Sequence, residues 1–468
     1  MNQATFIILG ATGDLSKRKL IPAFYKLIKD NKINNFALIG VSVDKTDIKT
    51  LLESAKKFTS NIDEKIWQQL EDASYFFELD FYDATKYIDF KKLIKTVENK
   101  HKLNGNKIFY LATMPEHFKI ITKNLYGNNI ITKYDHKKEC ETCNHPWSRI
   151  IYEKPFGHNL KSAKEINRCI KKLFHEKQIY RIDHYLGKEL VGNISLVRFT
   201  NRIFEPLWNN KHIDSIQIIL DEKIGIEGRG KFYDKNGAIK DVVQNHMLQI
   251  LSLVAMEQPK KLAAKYIRDA KAKVLKNLKF KNAILGQYEG YTQEKDVAPK
   301  SKTETFAALK LEINNKRWKG VPFYLKTGKN LNKKETSIHI KFKMVKCLLT
   351  QGCPTDSNYL TIKITPSNGF YLELNSKEPQ TNNLIPVEMN FCHSCLFGPN
   401  TPEAYETLIL DVIKGDQSTF VRSDEIEYSW QLVDSINRNK FKLYKYRKDS
   451  NGPKEIKLLD NKEIRWRA

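Results

Sequence analysis

Residues 5–16 read TFIILGATGDLS, an apolar run followed at once by a glycine-bearing turn. A short, almost continuous run of Phe, Ile and Leu fits a strand buried on both faces, as in a parallel sheet. Gly10-Ala11-Thr12-Gly13-Asp14-Leu15-Ser16 then turns the chain toward a helix. Glycines at such a turn let the main chain approach a pyrophosphate seated at the helix N-terminus. Gly10, Ala11, Thr12, Gly13, Asp14 and Leu15 are therefore candidate cofactor-binding residues. The spacing is G-x-x-G-x-x-S rather than G-x-G-x-x-G, so an ordinary strand-to-helix turn is the alternative.

Further strands are expected at 36–41, 75–79, 107–112 and 149–153, with helical apolar spacing between them at 17–30 and 46–58. That alternation predicts a doubly wound α/β domain of Rossmann type, placed over residues 1–182. Beyond it the pattern changes. Segments 213–220, 304–313, 336–343, 359–365 and 369–374 alternate apolar and polar residues without regular helices between them. With helices at 237–256 and 402–436, residues 183–468 read as a larger α+β domain with a mainly antiparallel sheet, supplying a substrate site and an oligomer contact.

The chain of 468 residues carries a formal charge of +25, from 79 basic and 54 acidic residues. The lysines are spread along the whole length with no basic tail, which favours solvated surfaces or a cleft for anionic small molecules over a nucleic-acid partner. No apolar run approaches a membrane span, and MNQATFIILG has no basic segment ahead of its apolar residues, so a cytoplasmic protein is expected. Seven cysteines argue against a disulfide framework. Cys140 with Cys143 and Cys392 with Cys395 have CxxC spacing. A four-thiolate zinc site needs both pairs, which stand about 250 residues apart; free loop thiols are expected, and no metal.

Four stretches carry more chemistry. Three basic residues, Lys17, Arg18 and Lys19, follow the glycine turn. Glu153-Lys154-Pro155-Phe156-Gly157-His158 ends a strand. Arg181-Ile182-Asp183-His184-Tyr185-Leu186-Gly187-Lys188-Glu189 sets His184, Tyr185 and Lys188 close together, donors suited to a phosphate monoester. Asp241-Val242-Val243-Gln244-Asn245-His246 places a carboxylate and an imidazole five residues apart, about 140° from each other on an α-helix. Histidine titrates near neutrality, which suits a general base.

Together these stretches resemble the glucose-6-phosphate dehydrogenase family, in its GDLA-x-(K/R)-K-x-x-P, EKPFG, RIDHYLGKE and D-x-x-QNH motifs. Asp221-Glu222 ahead of Gly225-Ile226-Glu227-Gly228-Arg229-Gly230, and Val321-Pro322-Phe323-Tyr324-Leu325-Lys326-Thr327-Gly328-Lys329, extend the likeness over nearly the whole chain. The resemblance implies oxidation of glucose 6-phosphate at C1, the first oxidative step of the pentose phosphate pathway, with hydride transfer to NADP or NAD. It implies His246 as base with Asp183 as its carboxylate partner. Lys154, His184, Tyr185, Lys188, Glu222, Asp241, Lys329 and Lys334 are implied at the substrate, with Lys19 and Lys154 also at the cofactor. It further implies that Pro155 is a cis-proline, and that the protein is a homodimer or homotetramer. A dehydrogenase of the same fold acting on another hexose or hexose phosphate is the alternative.

Two departures stand out. Where the family has G-x-x-R, whose arginine pairs with the 2′-phosphate of NADP, this chain reads Gly40-Val41-Ser42-Val43-Asp44-Lys45. Val43 takes the arginine's place. Asp44 is a candidate acceptor for the ribose 2′-OH of NAD, or else caps the next helix; Lys45 or Ser42 remain available to a 2′-phosphate. The second departure is an inserted segment, 133–147, that contains the first CxxC pair.

Overall fold

A computed structural model describes residues 3–134, 145–346, 356–398, 403–461 and 464–467. Cys140, Cys143 and most of the 133–147 insertion lie outside the described residues. The chain divides into two compact units: residues 1–187, 262–268 and 402–426 form the first, and 188–261, 269–401 and 427–468 the second.

Among the described residues the first unit holds six strands, β1 (Gln3–Leu9), β2 (Asn35–Ser42), β3 (Ser74–Glu78), β4 (Lys107–Leu111), β5 (Ser148–Tyr152) and β6 (Ile179–Arg181). They lie in the order β3-β2-β1-β4-β5-β6, and every neighbouring pair is parallel. This is the doubly wound fold the apolar runs predict. The order reverses at β1, which pairs with both β2 and β4, so the loops leaving β1 and β4 face a topological switch point. Ile7 and Leu9 on the central strand are fully buried.

The first unit also recruits chain from far along the sequence, which a boundary at 182/183 leaves out. The helix Ala404–Lys414 buries Leu408, Ile409, Val412 and Ile413 in the same core as Ile8, Ile108 and Ile151. The loop after it covers the short edge strand. Gln417 Nε2 donates to Glu176 O and Ile179 O, both at 2.9 Å, and Val421 N donates to Arg181 O at 3.0 Å. An edge strand of three residues gains its missing partners this way.

Among the described residues the second unit has nine strands: β7 (Ile213–Asp221), β8 (Leu278–Tyr288), β9 (Phe306–Ile313), β10 (Pro322–Gly328), β11 (Glu335–Phe342), β12 (Tyr359–Thr365), β13 (Gly369–Lys377), β14 (Leu384–Cys392) and β15 (Leu443–Tyr446). Their order is β14-β13-β12-β11-β7-β10-β9-β8-β15. Only β7 with β10 and β8 with β15 run parallel, so the sheet is mixed and mostly antiparallel.

Among the described residues no helix is long and apolar enough to cross a membrane. The expectation of free thiols is corrected at one pair, where Cys392 and Cys395 form a disulfide. Cys169 is a free cysteine.

Candidate active site

The glycine turn is built so that only glycine fits its first position. Gly10 has φ +89°, and a β-carbon there would stand 2.7 Å from Ala112 O at the end of β4. Gly10 N and Ala11 N both donate to Val41 O, at 2.8 and 3.0 Å, which ties the turn to β2. Gly13 N then donates to Gly10 O at 3.1 Å. The helix that follows starts with a π-helical turn, Ser16–Leu20, before α-helix Ile21–Lys29. Two polar atoms here, Ser16 Oγ and Thr113 Oγ1, are buried without a protein partner. Unmatched hydroxyls beside a main-chain cradle at the switch point fit a dinucleotide.

At the rim of the cradle, Asp44 Oδ2 accepts hydrogen bonds from the hydroxyls of Thr12 and Ser42, the latter at 3.1 Å. The Thr12 bond first, then the Ser42 bond, hold the Asp44 carboxyl below its ordinary range despite some burial penalty. Asp44 does not cap the next helix. Asp47 does, accepting Thr50 N at 2.9 Å ahead of Ile48–Lys56. Val43 is 54% exposed. Lys19 Nζ lies 2.9 Å from Glu403 Oε2, and Asp14 pairs with Arg18 at 3.2 Å, both at the surface.

The EKPFG and RIDHYLGKE stretches follow β5 and β6. The Lys154–Pro155 bond is cis, as the family likeness implies. Glu153 is buried and accepts from Tyr110 Oη, with Tyr405 Oη at 3.5 Å. Burial raises the Glu153 carboxyl above its usual range, and the Tyr110 bond opposes the shift. Lys154 is half-buried. Asp183, 2% exposed, accepts Tyr185 N at 3.1 Å. The His184 ring lies nearly parallel to Tyr405, with centroids 6.4 Å apart. Tyr405 thus reaches both Glu153 and His184, a link no local motif announces.

In the second unit, Asp241 and His246 lie on Ile239–Met247, which is wound as a π-helix. The α-helical expectation of 140° therefore fails. Bonds from i to i+5 place residues five apart on successive turns, a geometry frequent at functional sites. Both residues are buried. The start of this helix is fixed by Glu304, which accepts Ile239 N at 3.2 Å and pairs with Arg438 at 3.2 Å.

Glu222 and Lys329 close a second group: Lys329 Nζ is 2.5 Å from Glu222 Oε2 and 5.6 Å from the ring centre of Tyr233. Tyr233 is fully buried. Burial, then the charges of Asp241, Tyr446 and Glu222, push its phenol well above the ordinary value. Tyr446 Oη donates to Lys329 O at 2.7 Å, fixing the lysine's main chain. Lys188 Nζ lies 3.5 Å from Thr365 Oγ1. Thr365 shares with the exposed Lys334 a cavity of about 560 Å³ in which Lys363, Arg465 and Arg467 add positive charge. Tyr233, Tyr405 and Glu304 are polar residues to which the motifs assign no role; each acts through a contact with a residue distant in sequence.

Residues 7–193 match the family model described as glucose-6-phosphate dehydrogenase, NAD binding domain, and residues 195–467 match glucose-6-phosphate dehydrogenase, C-terminal domain. The chain is 40% identical to a glucose-6-phosphate 1-dehydrogenase of Bacillus subtilis, over 99% of this chain and 98% of that protein. It is 39% identical to one of Chlamydia muridarum, over 92% and 89%. Among solved structures, a glucose-6-phosphate dehydrogenase in complex with its substrate glucose-6-phosphate aligns with TM-score 0.89 and 33% identity, over 97% and 96%. The glucose-6-phosphate 1-dehydrogenase of Mycobacterium avium aligns with TM-score 0.87 and 31% identity, over 99% and 98%. With the cradle, the cis Lys154–Pro155 turn and the π-helical D-x-x-QNH segment in place, this chain belongs to the glucose-6-phosphate dehydrogenase family.

Proposed function

We propose that the protein oxidises glucose 6-phosphate at C1 to 6-phosphoglucono-δ-lactone, with hydride transfer to NADP or NAD. The observation that carries this reading is the Glu222–Lys329–Tyr233 group beside the Asp241 and His246 helix, within a chain that carries the family's motifs from end to end. The dinucleotide supplies the hydride acceptor; Gly10, Ala11, Thr12, Gly13, Asp14, Leu15, Lys19 and Lys154 are assigned to holding it.

His246 removes the proton of the C1 hydroxyl, and Asp183 is the carboxylate assigned to stabilise its charged form. His184, Tyr185, Lys188 and Lys334 bind the phosphate. Lys154, Glu222, Asp241 and Lys329 orient the sugar. Lys329 already paired with Glu222 is a preorganised arrangement, so little reordering is needed as substrate arrives.

NAD is accepted by this protein, alone or alongside NADP. Support for this is the Asp44 carboxylate, which accepts from the Thr12 and Ser42 hydroxyls just after β2: an acceptor there suits a ribose 2′-OH, and its charge disfavours a 2′-phosphate. We assign the protein to the cytoplasm; two Arabidopsis thaliana relatives, each 38–39% identical, are named as cytoplasmic forms. We also assign a homodimer or homotetramer built on the second unit's sheet. Support is the exposed strand β14, where Ile385, Val387 and Met389 are 40%, 39% and 62% exposed.

Glucose 6-phosphate assayed with NAD and with NADP in parallel tests the activity and the cofactor together. Glucose and other hexose phosphates serve as the competing substrates. Turnover of one of those in preference to glucose 6-phosphate would displace this reading.

A further inference from the structure

The strand β14 runs out into Phe391-Cys392-His393-Ser394-Cys395, a CxxC segment that leaves the strand at Cys392 and lies outside every motif assigned above. Cys392 is the last paired residue of the strand, opposite Gly369 on β13, and Cys395 sits in the short helix His393–Phe397 beyond it. The two sulfurs are bonded. Cys395 is exposed and Cys392 only partly so. Cys395 N donates to Cys392 Sγ at 3.2 Å, and Ser394 Oγ lies 3.5 Å from the same sulfur. Between them His393 is buried, its ring 4.9 Å from that of Phe397, so the turn has its own packed anchor.

As a staple this disulfide does little. It closes a loop of sequence separation 3, and the constraint a crosslink puts on the unfolded chain grows with loop length. The His393 anchor and the β13 ladder already fix the same residues. Its chemistry is more telling than its mechanics. An exchange reaction needs one sulfur open to attack and another that leaves well as a thiolate. Cys395 meets the first need by exposure. Cys392 meets the second, because its sulfur faces an N–H and a hydroxyl that stabilise negative charge as the S–S bond breaks.

We propose that Cys392 and Cys395 form a thiol–disulfide exchange site, with Cys395 the sulfur attacked and Cys392 the leaving thiolate. An external dithiol attacks Cys395 Sγ with one thiolate. A mixed disulfide forms at Cys395 as the Cys392–Cys395 bond breaks, and the electron pair goes to Cys392. The second thiolate of the dithiol then closes its own disulfide and releases Cys395 as a thiolate. Two electrons pass from the dithiol to the protein, two protons are taken up at the cysteines, and the reverse sequence reoxidises the pair. The site is independent of the dehydrogenase reading.

The test equilibrates the folded full-length protein in dithiothreitol buffers of graded reduced-to-oxidised ratio, followed by alkylation and peptide mapping. Cys392 and Cys395 are expected to gain label together, reversibly, as one two-electron transition, with dehydrogenase activity reporting that the fold is intact. A pair that yields only after denaturation, or that is alkylated fully without reductant, overturns the proposal. Single variants assign the order of attack. Cys392→Ser, incubated with oxidised glutathione, is expected to accumulate a mixed disulfide on Cys395. Cys395→Ser is expected to accumulate at least several-fold less on Cys392; equal or reversed labelling overturns the order of attack.

Discussion

The carboxylate of Glu304 occupies the space a side chain at Gly237 would need: a β-carbon there would stand 2.5 Å from Glu304 Oε1. Gly237 also has φ +68° and is immediately followed by Ala238, whose N–H donates to Glu304 O at 2.9 Å. One buried carboxylate thus fixes the start of the helix that carries Asp241 and His246. Gly237→Ala combines a left-handed backbone with a clash against an ion-paired group. We expect a loss of about 2–3 kcal/mol in denaturant-unfolding stability, with kcat falling as well. Wild-type stability in this variant would remove the constraint.

The Asp44 arrangement makes cofactor choice adjustable. Val43→Arg places a guanidinium where the family's G-x-x-R motif has one. It is expected to raise kcat/KM for NADP relative to NAD by about 10- to 100-fold, the span of a charge-assisted hydrogen bond. Asp44→Ala is expected to lower the preference for NAD. A strong NADP preference in the parent, unchanged by Asp44→Ala, would sink the assignment.

Replacing the base separates chemistry from binding. His246→Asn keeps a polar group of similar size and is expected to reduce kcat by about 10²–10⁴-fold, the usual contribution of a positioned general base. KM for glucose 6-phosphate should change little. Near-normal turnover would exclude His246 from that role.

A titration in the second sheet gives a pH prediction. His339 is buried on β11, its ring nitrogens 2.9 Å from Ser337 Oγ and 3.0 Å from Thr361 Oγ1. Burial first, with Arg467, Lys363 and Lys333 adding to it and Glu335 opposing, lowers its pKa to about 4 from 6.5. The folded value is depressed, so the neutral ring's contribution is complete above pH 6.5 and is lost as pH falls toward 4. The full shift corresponds to about 3 kcal/mol. His339→Gln should flatten the stability profile in that window, measured by urea unfolding at several pH values.

Much of the fold was legible in the sequence because the first-unit strands are short, apolar and widely spaced. Residues 5–9, 36–41, 75–79, 107–112 and 149–153 all fall within observed strands or one residue beyond them. Ile179–Arg181 is not legible in the sequence, since three residues show no periodicity. The strands β8, β10, β14 and β15 lie outside the expected segments as well; Pro322–Gly328, for example, carries a family motif and opens on a proline, which is uncommon within a sheet.

The sequence alone determined the doubly wound first unit and the family, and it nominates the candidate site residues, because all three readings rest on local runs of side chains. Tertiary structure decided three further things. Residues 402–426 join the first unit because Leu408, Ile409, Val412 and Ile413 complete its core and Gln417 satisfies an edge strand. Asp241 and His246 sit on successive turns because the helix is wound i to i+5, a choice that no spacing rule encodes. Asp44 faces the glycine cradle because Thr12 and Ser42, brought together by the pairing of β1 with β2, hold its carboxylate there. The first and the last are contacts between residues distant in sequence, and their energy exists only once the chain has folded; the second is a local winding that residue spacing leaves open.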